Sequence, residues 1–202
     1  MPIAVLMLKA PRPGLVKTRL AKDLGPEAAC LAYRWMVEKQ LQAIPSSWEI
    51  EVHFTPAEAA AEMQEWLQPL AKGLPLSFVP QSEGDLGQRL HHAATLAKMP
   101  AVFLGGDCPQ IDDSLLQAVE AALHQDLAVL SLSTDGGYCL LGLPEYREGV
   151  FQKIAWSTEK TGRQQLDRLR ESGHSVQTLA PLSDVDTLAD WEAVPDRPRF
   201  SE

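Results

Sequence analysis

Short apolar runs alternate with longer amphipathic stretches along most of the chain. Residues 3–8 and 101–104 are continuously apolar, a pattern typical of strands that are buried on both faces of a sheet. In residues 86–97 the apolar side chains instead recur every three to four positions, which is the period of a helix. The same criteria predict further strands over 48–54, 74–79, 127–132, 138–143 and 176–179. They predict further helices over 17–44 (with a break at Gly25-Pro26), 57–70, 114–123 and 158–171.

The alternation of strands with helices predicts βαβ units and therefore an α/β fold with a mostly parallel sheet. We expect a single domain over residues 1–194, followed by a tail over residues 195–202. In such sheets, ligands bind beyond the carboxyl ends of the strands. Polar clusters follow the predicted strands that end at Leu8, Val79, Leu104 and Leu132. The ligand site is therefore expected at this edge of the sheet.

The excess of acidic residues argues against two classes of binding partner. Among 202 residues there are 18 Lys and Arg and 27 Asp and Glu, and the net charge is -9. A protein that binds nucleic acid or an anionic membrane needs a basic face, so neither partner is expected. Three widely spaced cysteines predict neither a disulfide framework nor a zinc site, and they indicate a reducing, cytoplasmic location. No apolar run approaches the roughly 20 residues of a membrane span, and the oligomeric state stays open, a homo-oligomer included.

The loop after the first strand is basic although the protein is acidic. Its four cationic side chains are those of Lys9, Arg12, Lys17 and Arg19. Gly14 allows close approach of a ligand, and the N–H groups of a helix starting near Lys17 would attract an anion. These features predict a phosphate-binding loop in which Lys17 is exposed and does not contribute to stability; a solvated basic loop is the alternative. The Walker-type motif is excluded because it requires glycines where this chain has Val16 and Pro11.

Residues 81–89 lie between a predicted strand and a predicted helix and include two glycines. Gln81 has an amide that both donates and accepts hydrogen bonds, so it could pair with a nucleobase edge. Gly84 and Gly87 would let a ligand approach the backbone closely. The alternative is a helix entry without a ligand, in which Asp85 is the N-cap.

Asp107 directly follows the apolar strand 101–104 and two glycines. Because Mg²⁺ and Mn²⁺ prefer oxygen ligands, Asp107 is a candidate metal ligand that would hold the ion against substrate phosphates. Its alternative role is to cap the next helix. Asp186, in the segment Asp184-Val-Asp-Thr187, could complete the metal site or could cap a short helix together with Thr187.

Asp135 precedes a Gly136-Gly137 bend between two predicted strands, so its side chain could project into the cleft. Asp-Gly is also the usual dipeptide of a tight hairpin turn, and this interpretation stays open. Tyr138 follows the bend and is expected to shape a pocket for an acceptor. Trp156-Ser157-Thr158 forms a further polar and aromatic cluster.

Taken in order, these motifs resemble those of a bacterial family of small GT-A-like nucleotide-diphospho-sugar transferases. The shared segments are Lys-x-Pro-x-Pro-Gly-x-Val-Lys-Thr-Arg-Leu, Gly-Asp-Leu-Gly, Gly-x-Asp-Cys-Pro, Asp-Gly-Gly-Tyr, Trp-Ser-Thr and Asp-Val-Asp-Thr. Members are commonly labelled glycosyltransferases, and some are assigned to arsenosugar biosynthesis. The resemblance covers about residues 2–192. The same plan is similar to phospholactate guanylyltransferase and, more distantly, to molybdenum cofactor guanylyltransferase.

The resemblance implies a GT-A Rossmann-like fold with three layers (α/β/α), and a divalent cofactor, Mg²⁺ or Mn²⁺, at Asp107 and Asp186. The motifs and the resemblance together assign to the nucleotide and its phosphates Lys9, Pro11, Gly14, Lys17, Arg19, Gln81, Gly84, Asp85, Leu86 and Gly87. The residues assigned to the acceptor are Gly136, Gly137, Tyr138, Trp156, Ser157 and Thr158. Asp135 is the candidate catalytic base, with Lys17 and Arg19 assisting the leaving group.

Two reactions fit these assignments. The first is glycosyl transfer from a nucleotide-diphospho-sugar to a small-molecule acceptor. The second is nucleotidyl transfer from an NTP to a phosphorylated small molecule, with release of pyrophosphate. Most GT-A glycosyltransferases carry Asp-x-Asp, whereas Gly105 precedes Asp107 here by two positions, which is more typical of nucleotidyltransferases. A third hypothesis, an inactive nucleotide-binding module, is disfavoured by the number of correctly ordered polar motifs.

Overall fold

Within residues 1–71 and 73–200, which the computed structural model describes, seven strands form one mixed sheet. The strands are β1 (Ile3–Lys9), β2 (Glu49–Thr55), β3 (Leu76–Pro80), β4 (Ala101–Leu104), β5 (Leu127–Leu132), β6 (Tyr138–Leu143) and β7 (Ser175–Thr178). Their order across the sheet is β3-β2-β1-β4-β6-β5-β7. Only β6 runs antiparallel to its neighbours, β4 and β5. The prediction of a mostly parallel sheet is therefore confirmed.

Helices cover both faces of this sheet. They are α1 (Ala21–Leu24), α2 (Pro26–Ala43), α3 (Ala60–Leu67), α4 (Leu86–Leu96), α5 (Asp113–Leu123), α6 (Thr161–Glu171) and α7 (Leu188–Ala193). Because successive strand residues point to opposite faces, Leu6 belongs to the core cluster that contains residues of α2, α3 and α5. Val5 belongs to the other cluster, which contains residues of α4 and α6. This is the predicted three-layer α/β/α arrangement. Among the described residues, no helix combines the length and the hydropathy that a membrane span requires.

Three α-helices begin later than predicted. Residues 57–59 form a 3-10 helix, so α3 begins at Ala60. Lys17 has a φ of 47°, a left-handed conformation that a helix cannot continue, so the first helical residue is Ala21. The hydroxyl of Thr161 donates to the carbonyl of Ala155 at 2.9 Å, and residues 158–160 form a turn before α6. The predicted helix N-terminus at Lys17, which would have attracted an anion, is therefore absent.

Residues 195–200, predicted as a tail, return to the core. Phe200 stacks on Trp191 of α7, with ring centroids 5.9 Å apart and an interplanar angle of 13°. Arg197 Nη1 donates to the carbonyl of Val194 at 3.4 Å. The last two residues of the predicted tail, 201 and 202, lie outside the described residues.

Because β6 is antiparallel to β4 and β5, its first residues lie at the carboxyl ends of these two strands. Leu6 of β1 lies beside Leu104 at the end of β4, and Leu104 lies beside Leu140 of β6. Leu132 at the end of β5 lies beside Tyr138, the first residue of β6. The loops that follow β1, β4 and β5 therefore approach one another at a single edge of the sheet.

Candidate functional site

Three carboxylates meet at this edge, and we call Asp107, Asp184 and Asp186 the acidic cluster. Asp107 follows β4, and the other two lie in the segment that precedes α7. One oxygen atom of each carboxylate lies within 4.8 Å of those of the other two. The backbone N–H of Val185 donates to the carbonyl of Asp107 at 3.0 Å, which joins the two loops. Val185 is buried, and its two acidic neighbours line the cleft, as the alternation of an extended chain requires.

Lys17 reaches into the acidic cluster. Its Nζ atom donates to Asp107 Oδ2 at 3.0 Å and to Asp186 Oδ1 at 2.8 Å, and its side chain is only 7% exposed. Arg19 Nη1 donates to Asp186 Oδ2 at 3.0 Å. Burial alone would lower the pKa of Lys17, but the charges and hydrogen bonds of the two carboxylates outweigh burial and raise this pKa above 10.5. The expectation that Lys17 is exposed is therefore wrong: it is a buried cation that joins two loops.

The other residues of the basic loop, all of which the structure describes, form no hydrogen bond or ion pair with the acidic cluster. Arg12 Nε donates to Glu62 Oε2 of α3 at 3.0 Å, so its charge is used in an ion pair. The side chain of Lys9 is exposed and lines the cleft. Pro11 is buried, and Gly14 lies at the exposed tip of the loop with a φ of 77°. The latter two shape the loop and do not line the cleft.

The cleft has two compartments that meet at the acidic cluster. The smaller compartment, of about 400 Å³, contains the basic side chains of Lys9, Lys17 and Arg19. The larger compartment, of about 660 Å³, lies on the side of α4 and β6. Asp107 and Asp186 line both compartments. A ligand that extends through the cleft would therefore pass the carboxylates at its middle.

The larger compartment has an apolar part and a polar part. Its apolar lining includes Leu86, Leu90, Phe103, Tyr138 and Trp156, and its polar lining includes Asp135, Ser157, Thr158 and Glu159 besides the acidic cluster. The rings of Tyr138 and Trp156 lie 6.5 Å apart between centroids at an angle of 62°. The Tyr138 hydroxyl donates to Gln165 Oε1 at 3.2 Å. With Gly137, five of the six residues predicted for the acceptor lie in this compartment, together with Leu86, which was predicted for the nucleotide.

Asp135 both forms the hairpin turn and faces the larger compartment. Its Oδ1 atom accepts hydrogen bonds from the backbone N–H of Gly137 at 2.9 Å and from the hydroxyl of Ser133. Its Oδ2 atom has no hydrogen-bond partner in the described part of the chain, and the residue lines the compartment. Asp135 therefore fits both interpretations: its Oδ1 atom forms the turn, and its Oδ2 atom stays available to a ligand in the compartment.

Gly136 holds this turn against the loop that precedes α6. Its carbonyl accepts a hydrogen bond from the N–H of Gly162 at 2.8 Å, and its φ is 92°. A Cβ atom on Gly136 would overlap the backbone of Glu159. Gly136 thus has a packing role, and it places the turn beside the loop that carries Trp156.

We expect Gly136→Ala to reduce the free energy of unfolding more than Gly14→Ala does. Both glycines have a left-handed backbone, which costs an L-residue about 1–2 kcal/mol. At Gly136 the overlap with Glu159 adds to this cost, whereas a Cβ at Gly14 meets no atom within 4 Å. Denaturant unfolding of the two variants measures the difference, and equal losses would contradict the packing described for the turn.

Residues 81–89 include the segment that leads into α4 and the first turn of this helix. Asp85 accepts from the N–H of Gln88 and Gln88 accepts from the N–H of Asp85, both at 2.9 Å, which confirms the N-cap interpretation. Gln81 donates through Nε2 to the carbonyls of Leu8 and His53, at 3.1 and 2.8 Å. Its amide N–H groups are therefore used within the sheet, and a nucleobase contact by Gln81, which stays a prediction, would involve its oxygen.

Gly84 and Gly87 allow close packing at this helix entry. A Cβ atom on Gly84 would overlap the side chain of Gln88, and one on Gly87 would overlap the indole of Trp156. The start of α4 therefore approaches Trp156, which explains why Leu86 lines the same compartment. Nucleotide contacts by these glycines stay a prediction.

The N-termini of α5 and α7 are capped by residues outside the acidic cluster. Asp112 is the N-cap of α5 and accepts from the N–H of Leu115 at 2.8 Å, so the alternative in which Asp107 caps this helix is wrong. Thr187 is the N-cap of α7 and forms a capping box with Asp190. The side chain of Asp107 remains available to a cation.

Asp184 is the residue of the cluster that the sequence predictions did not assign. It is half-buried, and burial, followed by the charges of Asp135 and Asp107, raises its pKa to about 6. The signal for it was the spacing Asp184-Val185-Asp186, in which an apolar residue separates two acids. Its raised pKa is consistent with a strongly negative potential in this part of the cleft.

Solved structures with this fold include enzymes that act on nucleotides. A candidate nucleotide-diphospho-sugar transferase from Desulfovibrio desulfuricans G20 is 27% identical, with a TM-score of 0.81 over 94% of this chain and 85% of its own. A cytidylyltransferase from Leptospira borgpetersenii serovar Hardjo-bovis is 15% identical, with a TM-score of 0.56 over 94% of this chain and 83% of its own. Rv0371C from Mycobacterium tuberculosis H37Rv, solved in complex with manganese, is 19% identical, with a TM-score of 0.50 over 96% of this chain and all of its own (100%).

The first of these structures confirms that the chain has the fold of nucleotide-diphospho-sugar transferases, as its motifs indicate. No curated protein matches the chain. The profile of the family described as "Uncharacterized protein conserved in bacteria (DUF2064)" matches residues 39–158, which is more than half of the chain. The chain therefore belongs to this family.

Proposed function

We propose that the protein is a metal-dependent transferase that binds the diphosphate of a nucleotide-activated donor at the acidic cluster and the basic loop. The observation that carries this proposal is the meeting of Lys17 and Arg19 with Asp107 and Asp186 where the two compartments join. A nucleotide sugar has a doubly charged centre and an uncharged group at each end. The cleft provides cations and carboxylates at its middle and space on both sides. The similarity to the Desulfovibrio protein supports the same class of enzyme.

The acidic cluster fits a divalent ion such as Mg²⁺ or Mn²⁺. Its three ligands would all be carboxylate oxygens, which hard cations prefer. The Nζ atom of Lys17 lies between Asp107 and Asp186, so this position already attracts a cation from within the chain. The manganese complex of the mycobacterial protein shows that a protein of this fold binds such an ion. A metal ion bound here would neutralise charge on the departing phosphate oxygens.

The basic side chains of the smaller compartment would hold the diphosphate. Lys9 is exposed there, and Lys17 and Arg19 border the carboxylates. If a divalent ion were held by Asp107, Asp184 and Asp186, the charges of Lys17 and Arg19 would become available to phosphate oxygens. Preorganised cations of this kind stabilise the charge that develops on a leaving group.

Glycosyl transfer is the reaction that we place first. Asp135 lines the larger compartment, and its Oδ2 atom has no hydrogen-bond partner among the described residues. A carboxylate in this position can accept the proton of an attacking hydroxyl. Nucleotidyl transfer is the second candidate, and the observation that favours it is Gly105, which replaces the first acid of the Asp-x-Asp motif.

Product analysis distinguishes the two reactions. The protein is incubated with Mg²⁺, with each NTP or nucleotide sugar, and with mixtures of hydroxylated and phosphorylated small molecules. Glycosyl transfer releases a nucleoside diphosphate, whereas nucleotidyl transfer releases pyrophosphate, and EDTA should abolish either product. If neither product forms with any donor, the proposed function is wrong.

Lys17→Ala should make the stability of the protein depend on a divalent ion. Without Lys17 the carboxylates of the acidic cluster repel one another in a partly buried place, so the melting temperature without metal should fall below that of the wild type. Mn²⁺ should reverse most of this loss, because an ion that binds only the folded protein stabilises it. Thermal unfolding with and without Mn²⁺ measures the effect.

Lys98→Ala is the matched control for this variant. Lys98 forms an exposed ion pair with Glu49, and removing such a pair changes stability by no more than about 1 kcal/mol. Its response to Mn²⁺ should equal that of the wild type. Lys17→Ala should also bind nucleoside diphosphates about 10- to 150-fold more weakly, because a charge-assisted hydrogen bond contributes roughly 1.5–3 kcal/mol. A loss of stability that Mn²⁺ does not reverse, with unchanged nucleotide affinity, would show that Lys17 is only structural.

A further inference from the structure

The larger compartment is strongly negative. Five acidic residues line it, namely Asp107, Asp135, Glu159, Asp184 and Asp186. The positive group that faces them is the guanidinium of Arg19, which is already hydrogen-bonded to Asp186. Among the described residues no lysine lines this compartment. Even when the acidic cluster is neutralised by Lys17 or by a metal ion, Asp135 and Glu159 remain.

The remaining cations of the cleft lie on its other side. Lys9 and Lys17 line the smaller compartment and not the larger one. Arg12, the fourth cation of the basic loop, is paired with Glu62 and lines neither compartment. The cleft can therefore neutralise one diphosphate, at the acidic cluster and basic loop. An anionic group deeper in the larger compartment would meet carboxylates instead of cations.

We propose that the acceptor bound in the larger compartment carries a hydroxyl group and a ring or other apolar face, and carries no phosphate or carboxylate. An amine on such an acceptor increases its affinity. The inference rests on the proposed function, because it assigns the smaller compartment and the acidic cluster to the diphosphate of the nucleotide donor. It selects glycosyl transfer over nucleotidyl transfer to a phosphorylated compound, since the latter acceptor needs a second cationic site.

The apolar lining supports the same class of acceptor. Trp156 and Tyr138 present aromatic side chains, and Leu86 is an exposed leucine at the start of α4. Aromatic rings attract cations through their negative faces, and they pack against the apolar faces of ligand rings. Ser157 and Thr158 line the same compartment, and the Thr158 hydroxyl donates to the carbonyl of Ala155 at 2.8 Å. An uncharged or cationic ring with hydroxyl substituents matches these groups.

The transfer reaction replaces one bond at the anomeric carbon with another. The acceptor oxygen forms a bond to the anomeric carbon of the donor sugar, and the bond from that carbon to the β-phosphate oxygen breaks. The electron pair of the broken bond leaves with the nucleoside diphosphate. The proton of the acceptor hydroxyl moves to Asp135 Oδ2 and from there to solvent.

Three matched probes test the proposal by binding alone. They are phenyl β-D-glucoside, its 6-amino-6-deoxy derivative and its 6-phosphate. They differ only in the substituent at carbon 6, which is neutral, positive or negative. Saturation-transfer NMR titrations of the wild-type protein with Mg²⁺ give the three affinities. We expect the amine to bind at least as tightly as the neutral probe and the phosphate to bind about tenfold more weakly than it. Repulsion between the phosphate and the acidic residues of the compartment is large enough for a difference of this size.

Charge-removing variants show whether the compartment itself produces this order. The double variant Asp135→Asn and Glu159→Gln should reduce the preference for the amine over the phosphate about tenfold. Glu148→Gln removes the same type of charge beyond the opposite end of β6 and should leave the preference unchanged. Tightest binding of the phosphate probe, no binding of any probe at millimolar concentration, or a preference that the double variant does not change would overturn the proposal.

The same samples are titrated with nucleoside diphosphates to test the proposed function separately. If no nucleoside diphosphate binds in the presence of Mg²⁺, the proposed function fails whatever the order of the probes. If a nucleoside diphosphate binds and the phosphate probe still binds most tightly, the proposed function stands and only the acceptor class is wrong.

Discussion

Replacing Asp135 with Asn should slow transfer by about 10² to 10⁴ while the affinity for the nucleotide donor stays within a few-fold of the wild type. General-base catalysis by a positioned carboxylate contributes a factor of this size. The amide of Asn can still accept the hydrogen bonds from Gly137 and Ser133 that form the turn. The other oxygen is replaced by an NH2 group, which carries no charge and cannot accept a proton. Steady-state kinetics with the donor that the product analysis identifies, and calorimetry of its nucleotide, measure the two quantities.

Ser133→Ala separates catalysis by Asp135 from its role in the turn. This variant removes one hydrogen bond of the turn and keeps the carboxylate, so its rate should fall far less than that of Asp135→Asn. If both variants slow transfer equally, the turn geometry is what matters. If Asp135→Asn instead weakens nucleotide binding as much as Asp107→Asn does, Asp135 belongs to the metal site. If Asp135→Asn does not change the rate of transfer, Asp135 acts only in the turn.

Asp107→Asn should remove most of the metal dependence of nucleotide binding. Asn has nearly the same shape as Asp but lacks the charge that attracts a divalent ion. Removing only an outer-shell partner of a metal ligand weakens metal binding about 10- to 100-fold, so loss of the ligand itself should weaken it by at least as much. Calorimetric titration of nucleoside diphosphates with Mg²⁺ and with EDTA measures the difference between the two conditions. In the wild type the difference should be large, and in the variant it should nearly vanish.

Asp167→Asn is the control for this variant. Asp167 lies on α6 and pairs with Arg163 one helical turn away, at the surface. It has the same chemistry as Asp107 but no contact with the acidic cluster. Its metal dependence should equal that of the wild type. Metal-dependent binding that persists in Asp107→Asn would remove Asp107 from the metal site.

The strands were predictable because most of them are buried on both faces. The bounds of β4, β5 and β6 agree with the apolar runs at 101–104, 127–132 and 138–143. The direction of β6 was less clear, because a run of apolar residues does not show whether its strand is parallel or antiparallel. The short Asp-Gly-Gly turn before it was the local signal for a hairpin.

The candidate site was predictable as a set of polar motifs but not as a set of contacts. Lys17 meets Asp107 and Asp186 across 90 and 169 positions of sequence, a pairing that depends on the order of the strands. Its left-handed backbone, which turns the side chain away from a helical path, also has no signal in residue type. Asp184 was different, because its spacing from Asp186 was visible in the sequence. Local patterns thus located the site, and the topology determined which charges neutralise one another.

Anomalous scattering from crystals of the wild-type protein grown with Mn²⁺ and a nucleoside diphosphate tests the central claim most directly. The account predicts an anomalous peak bonded to carboxylates of the acidic cluster and to diphosphate oxygens, with Lys17 and Arg19 contacting the phosphates. In that complex Lys17 Nζ should no longer lie between Asp107 and Asp186, where it lies at 3.0 and 2.8 Å from their oxygens. A diphosphate bound away from the cluster, or one bound without an anomalous peak while Lys17 keeps both contacts, would contradict the account.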